Sequence, residues 1–279
     1  MNNENELKSE LEKLDYKVEV IPRGNTLSAD YIVKLGATAS IIEVKTMNDT
    51  ENSADEYFSK LQSGIVFEHV NQKDTRKNVS KAVDQISTSY EDLEANGYKI
   101  ICIYSNTIDS NIDVKRRLFD FYGGCEFFGM KLNTNNFNFN FDMDFKFCYG
   151  FYNSIFLQYK SLDGAFIMSK SQKIFLPNFY SNKYKDMMES DFFKPVILSS
   201  EWEVHDPIKQ ERDGQALILD NESLSVRNNN IVELTDLHKH ERSEDVIKAK
   251  NYLKGKYNYS QLSMEQNRGK ALVLGSSVS

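Results

Sequence analysis

Asp30, Glu43 and Lys45 lie in the stretch SADYIVKLGATASIIEVKT (28–46), whose other strand-like positions are Tyr, Ile, Val and Leu. Apolar surroundings lower the local dielectric, so charges placed there need a partner, a cation or a solvent-facing side. Gly36-Ala37 suits a two-residue hairpin turn with glycine first, and that turn sets Asp30 opposite Glu43, with Cβ atoms roughly 5 Å apart. A four-residue turn over GATA shifts the pairing by two, which keeps Asp30, Glu43 and Lys45 on one face. The other face then carries Tyr31, Val33, Leu35, Ile42 and Val44, a set suited to a core. Two carboxylates side by side repel each other, and a divalent cation between them removes the repulsion. Hard oxygen ligands select Mg²⁺ or Mn²⁺, and an ammonium beside them can orient a water and offset developing negative charge.

These residues need elements to hold them. Leu7, Leu11 and Leu14 predict an amphipathic first helix, on whose flank Glu10 stands near the sheet that the helix covers. The tripeptide Glu6-Leu7-Lys8 repeats the Glu-x-Lys pattern, but helical spacing makes it an ordinary solvated pair. Val18 and Val20 open a strand, PRGN (22–25) is a turn, and residues 29–35 and 40–45 are two further strands. Val79, Val83, Ile86, Tyr90 and Leu93 predict a surface helix from Thr75, stopped by ANG (95–97), and YKIICIYSN (98–106) is a buried strand. The first 106 residues thus run α, β, β, β, α, β, with a short helix to follow at DVKRRLFDF (113–121).

The amphipathic helix with its glutamate, the hairpin carrying Asp-x12-Glu-x-Lys, and the helix and strand that follow resemble the PD-(D/E)xK nuclease superfamily over residues 4–106. Gln85 in KAVDQI matches a glutamine that many members carry on the helix after the hairpin. Ala29 stands where many have proline, and Tyr90 lies five residues beyond Gln85 rather than four, so no subfamily is assigned. The resemblance implies a restriction-endonuclease-like αβββαβ core, an α/β (α+β) fold. It also implies an ion, Mg²⁺ or Mn²⁺, held by Asp30, Glu43, the main-chain carbonyl of Val44 and Glu10, with Lys45 activating the attacking water and Gln85 beside it. The activity it implies is hydrolysis of nucleic-acid phosphodiesters, DNA rather than RNA, in a setting such as restriction or antiphage defence. It is compatible with a homodimer or an operon-encoded partner. The alternative is a catalytically inactive nuclease-like module that binds or assembles.

The second half differs in character. NFNFNFDMDFKF (136–147) alternates strictly and predicts a half-buried strand with Phe137 to Phe147 facing a core rather than stacking bases. GAFIMSKSQKIFLP (164–177) predicts a hairpin, ALIL (216–219) and NIVEL (230–234) short strands, and DVIKAKNYLKG (245–255) a helix. The expectation is a nuclease-like core over 1–120 and an aromatic-rich α+β addition over 121–279 packed on it. His238 and His240, two apart, splay on a helix and do not suggest zinc. Cys102, Cys125 and Cys148 form no CxxC pair, as expected of buried thiols in a reducing compartment. With no leader-like start and no apolar run near the ~20 residues a bilayer requires, a cytoplasmic location is expected. A net charge of −7 gives no general attraction to nucleic acid, which leaves local cations such as Arg76, Lys77, Lys81, Lys115, Arg116 and Arg117 for phosphate contacts.

Overall fold

The computed structural model of the chain describes residues 3–22, 28–49, 56, 59–60, 62, 66–70, 75–90, 97–107, 110–133, 140–149, 154–218, 261–265 and 270–274. The chain divides into two compact units, Met1–Leu118 with Gln158–His205 and Arg268–Ser279, and Phe119–Leu157 with Asp206–Asn267.

The first unit is a mixed α/β structure on a seven-stranded sheet. Helix α1 (Asn3–Glu12) leads into an antiparallel meander of β1 (Lys17–Val20), β2 (Tyr31–Leu35) and β3 (Thr38–Asn48). The β2–β3 register pairs Leu35 with Thr38 and Tyr31 with Ile42, the two-residue turn that Gly36-Ala37 predicts. Gly36 adopts φ +60°, a backbone conformation that side chains with a Cβ resist, so the turn needs glycine first. Strand β4 (Val66–Val70) pairs with β13 (Lys270–Leu274) in a separate two-stranded sheet. Helix α2 (Thr75–Tyr90) packs on β3 and on β5 (Tyr98–Asn106), which runs parallel to β3. Leu7 and Leu11 of α1 join Val33, Ile42, Val44, Ile100 and Cys102 in one core, so α1 lies on the Tyr31/Val44 side of the sheet. Of the face that the hairpin predicts as apolar, Tyr31, Val33, Ile42 and Val44 are buried and Leu35 is half-buried.

Strand β5 is buried along nearly its whole length, so its second edge also needs a partner. Helix α3 (Ser110–Tyr122) follows it, covering the helix predicted at 113–121. The partner strand comes from far along the chain. Strand β8 (Gly164–Met168), buried at every position, runs parallel to β5, turns through residues 169–172, and returns as β9 (Lys173–Pro177), to which β10 (Glu203–Val204) adds in parallel. The hairpin at 164–177 is therefore present but in the first sheet. This corrects the division at 120: the chain leaves the first unit between Leu118 and Phe119, yet residues 158–205 return to it instead of belonging to a C-terminal addition. Periodicity marked the hairpin, and no local pattern names the sheet it joins.

The second unit holds β6 (Cys125–Asn133) and β7 (Asn140–Tyr149), flanked by β12 (Gln261–Glu265) and β11 (Ala216–Ile218). Helices α4 (Ile155–Gln158) and α7 (Pro207–Arg212) lie at residues near that sheet in sequence, α5 (Tyr184–Glu189) and α6 (Lys194–Leu198) fall in the first unit, and α4 ends where the chain passes back to it. Phe121 packs on Phe156, with ring centroids 4.9 Å apart, and Tyr122 on Tyr149 at 5.5 Å. Strand β7 overlaps the predicted 136–147 strand. Phe137 and Phe139 lie outside the described residues, as do the side chains of Phe141, Met143 and Phe145, whereas Phe147 is half-buried. The strand at 230–234, the helix at 245–255, His238 and His240 also lie outside them. Cys102 and Cys148 are buried, and neither is in a disulfide among the described residues. Among the described residues, no helix is long and apolar enough to cross a membrane.

Candidate metal centre

Asp30 sits one residue before β2, where the strand stops pairing and β3 runs on. Its Oδ2 accepts the Val44 N–H at 2.8 Å, so the carboxylate takes the place of the missing strand partner. In a β-strand the N–H and C=O of one residue point to the same neighbour, which turns the Val44 carbonyl toward Asp30 as well. Glu43 and Lys45 point from β3 to the opposite face from Val44, the face that α2 covers.

Glu43 is 2% exposed, and its Oε1 is bonded by the Lys45 ammonium. Its Oε2 is buried with no hydrogen-bond partner. Burial pushes the Glu43 carboxyl up to about 7; Lys45 opposes that, and the Asp30 carboxylate beside it adds to it. The Lys45 Nζ also donates to Gln85 Oε1 at 2.6 Å, and the side chain keeps 20% exposure. The Gln85 carboxamide is used at both ends, because its Nε2 donates to the Ser28 carbonyl at 3.1 Å.

Asp30, Glu43, Val44, Lys45 and Gln85 thus meet at one point, beside β3 where β2 begins. Glu10 does not join them. It is 8% exposed and held by Lys13 at 2.7 Å and by Lys173 of β9, which bonds Glu201 at 2.9 Å. Burial would raise its carboxyl, but the two ammonium groups outweigh burial and hold it below the usual carboxylate range. Glu10 as a metal ligand is therefore corrected: two lysines already neutralise it. The residue that α1 directs to the sheet end near Lys45 is Glu6, one turn earlier, which accepts the Tyr104 hydroxyl at 2.7 Å. Lys8 pairs instead with Glu12 at 3.7 Å, so the expected solvated Glu6–Lys8 pair is not formed. After burial, the charges of Asp30 and Glu6 both push the Cys102 thiol up, which places both acids within electrostatic reach of the middle of β5. Leucine periodicity located α1, but it did not choose among Glu6, Glu10 and Glu12, because that choice depends on Tyr104 and Lys173, distant in sequence.

The basic cluster at 115–117 is also corrected in part. Arg117 is fully buried, donating to Asp113 Oδ1 at 2.8 Å and to Thr75 at the start of α2, while Ser105 of β5 bonds the other Asp113 oxygen. A guanidinium enclosed in this way ties α3, α2 and β5 together and cannot reach a phosphate. Lys115 remains exposed.

Among the described residues, no three His, Cys, Asp or Glu side chains converge as a metal cluster. Asp30 and Glu43 are a pair, which is the number of carboxylates that Mg²⁺ commonly takes, the rest of its shell being carbonyl and water. Comparison of the chain with protein-family models, with curated proteins and with solved structures finds no match.

Proposed function

We propose that the chain is a nuclease of the PD-(D/E)xK kind, hydrolysing nucleic-acid phosphodiesters, DNA foremost, with Mg²⁺ or Mn²⁺ held by Asp30, Glu43 and the Val44 carbonyl. The observation that carries this reading is the Glu43 carboxylate: one oxygen on Lys45, the other buried without a partner, and a second carboxylate alongside. Two acceptors cannot satisfy each other while ionised, so the arrangement is electrostatically incomplete in the way a divalent cation completes. With β4 set apart in its own two-stranded sheet, the order α1, β1, β2, β3, α2, β5 and the parallel β3–β5 pairing support the same reading, since the resemblance implies an αβββαβ order.

When bound, the ion supplies Lewis acidity and a more acidic bound water. The rest of the work falls to the chain. Lys45 presents its ammonium to the attacking water and to the charge that grows on the phosphate oxygens. Gln85 holds that ammonium from the helix side, which limits it to the Glu43 edge of the site. Burial of Glu43 excludes bulk water from one flank, where charge interactions are then stronger. Polymer contacts rest on local exposed cations, among them Lys77, Lys81 and Lys115, against a net charge of −7.

The test is cleavage of plasmid and linear DNA, and of RNA, by purified protein. Mg²⁺ or Mn²⁺ should support cutting, and Ca²⁺ should support binding with little cutting. Lys45→Ala should lower the rate by about 10²-fold or more while leaving metal binding largely intact. Metal-dependent binding without cleavage would favour the inactive binding module, and absence of both would overturn the nuclease reading.

A further inference from the structure

Helix α2 does more than cover the sheet at this site. Gln85 and Ser89 are four residues apart and so share one face of the helix. Gln85 Nε2 donates to the Ser28 carbonyl at 3.1 Å, and the Ala29 N–H donates to Ser89 Oγ at 2.8 Å. Those two atoms belong to the same peptide group, the one joining Ser28 to Ala29. It is trans, so its oxygen and hydrogen point in opposite directions, and α2 grips it at both ends. The Ser89 hydroxyl is itself oriented, because its proton goes to the Gln85 carbonyl at 3.0 Å, which leaves a lone pair for Ala29. The next residue is Asp30, whose carboxylate caps the Val44 N–H.

We infer that Ser89 is a positioning residue that sets where the Asp30 carboxylate stands beside Glu43, with Gln85 linking the same clamp to Lys45. The chain of contacts is short and directed: Ser89 fixes the Ala29 amide, the fixed peptide plane sets the direction in which the backbone enters Asp30, and Asp30 reaches Val44. Side chains that orient ligating groups without touching the ion typically matter for affinity by about 10–100-fold. For its metal readout the inference rests on the proposed function, but its backbone readout does not.

The experiment is amide hydrogen exchange on metal-free protein, paired with Mn²⁺ titration by calorimetry, for wild type, Ser89→Ala and Ser89→Thr. In Ser89→Ala the Ala29 and Val44 amides should exchange faster by about fivefold or more, as expected for loss of a hydrogen bond, with Ile41 and Ile103 unchanged. Mn²⁺ affinity should fall by about tenfold, and threonine, which keeps the hydroxyl, should restore both readings. Should Ser89→Ala unfold, Ser89→Thr against Ser89→Val gives the same comparison at equal side-chain shape. Faster exchange at Ala29 with Val44 unchanged would overturn the inference, since the clamp would then stop short of Asp30. Wild type that binds no Mn²⁺ while Val44 still responds to Ser89 would sink the metal reading and leave the positioning role standing.

Discussion

Glu43 is the residue on which stability and chemistry pull apart. Its ordinary pKa is 4.5 and burial, then Asp30, push it up to about 7. A carboxyl raised by folding favours the native state while it is protonated. That contribution is fully present below pH 4.5 and lost as the pH rises through about 7. Glutamine mimics the protonated form at all pH values. In the presence of a chelator, thermal or denaturant unfolding should therefore show wild type falling behind Glu43→Gln across that window, by about 1–3 kcal/mol depending on how far water on the Lys45 side screens the pair. Added Mg²⁺ should narrow the gap by binding only the wild type. A gap independent of pH would mean that the carboxylate is comfortably solvated. That the Asp30 carboxylate stands beside Glu43 was legible in sequence because strand alternation and a glycine-first turn are local rules, although strand pairing itself stops one residue short, at Tyr31 and Ile42. Glu10 was misassigned because its partners, Lys13 and Lys173, decide its state, and one of them lies more than a hundred residues away.

At the scale of elements, the site exists because β3 outruns β2 and α2 closes the gap. The helix pattern from Thr75 to Leu93 and the buried strand at 98–106 were readable from apolar spacing; the structure has the helix over Thr75–Tyr90, with Leu93 outside the described residues, and the strand over Tyr98–Asn106. What spacing could not show is that the basic cluster in α3 points partly inward. Arg117 bonds Asp113, its neighbour one turn back, and reaches Thr75 of α2. Of the three consecutive basic residues, the one on the apolar side of α3 is enclosed with a carboxylate. Arg117→Ala should destabilise the protein by about 3–5 kcal/mol, because Asp113 is left buried and uncompensated, whereas Lys115→Ala should change stability by less than about 0.5 kcal/mol. Denaturant midpoints decide it. An Arg117→Ala protein with a wild-type midpoint and weakened nucleic-acid binding would return that residue to the phosphate-contacting surface.

For the whole molecule, the first unit draws its sheet from two separated stretches of chain, and the strands from 158–205 complete the second edge of β5. Strand β5 is thereby held from both sides, by β3 and by β8, as far as Tyr104, and it in turn holds β3 at Lys45, beyond the last β2–β3 pair at Ile42. The central claim is that the incomplete carboxylate pair in this sheet is a cation site. Its most direct test is a crystal of the protein soaked in Mn²⁺, with data collected to locate manganese by its anomalous scattering. The account predicts one strong peak coordinated by the Asp30 and Glu43 carboxylates and the Val44 carbonyl, lost in Asp30→Asn or Glu43→Gln crystals. Manganese bound elsewhere with this pair empty, or a Lys45 ammonium still on Glu43 and no metal at saturating concentration, would contradict it.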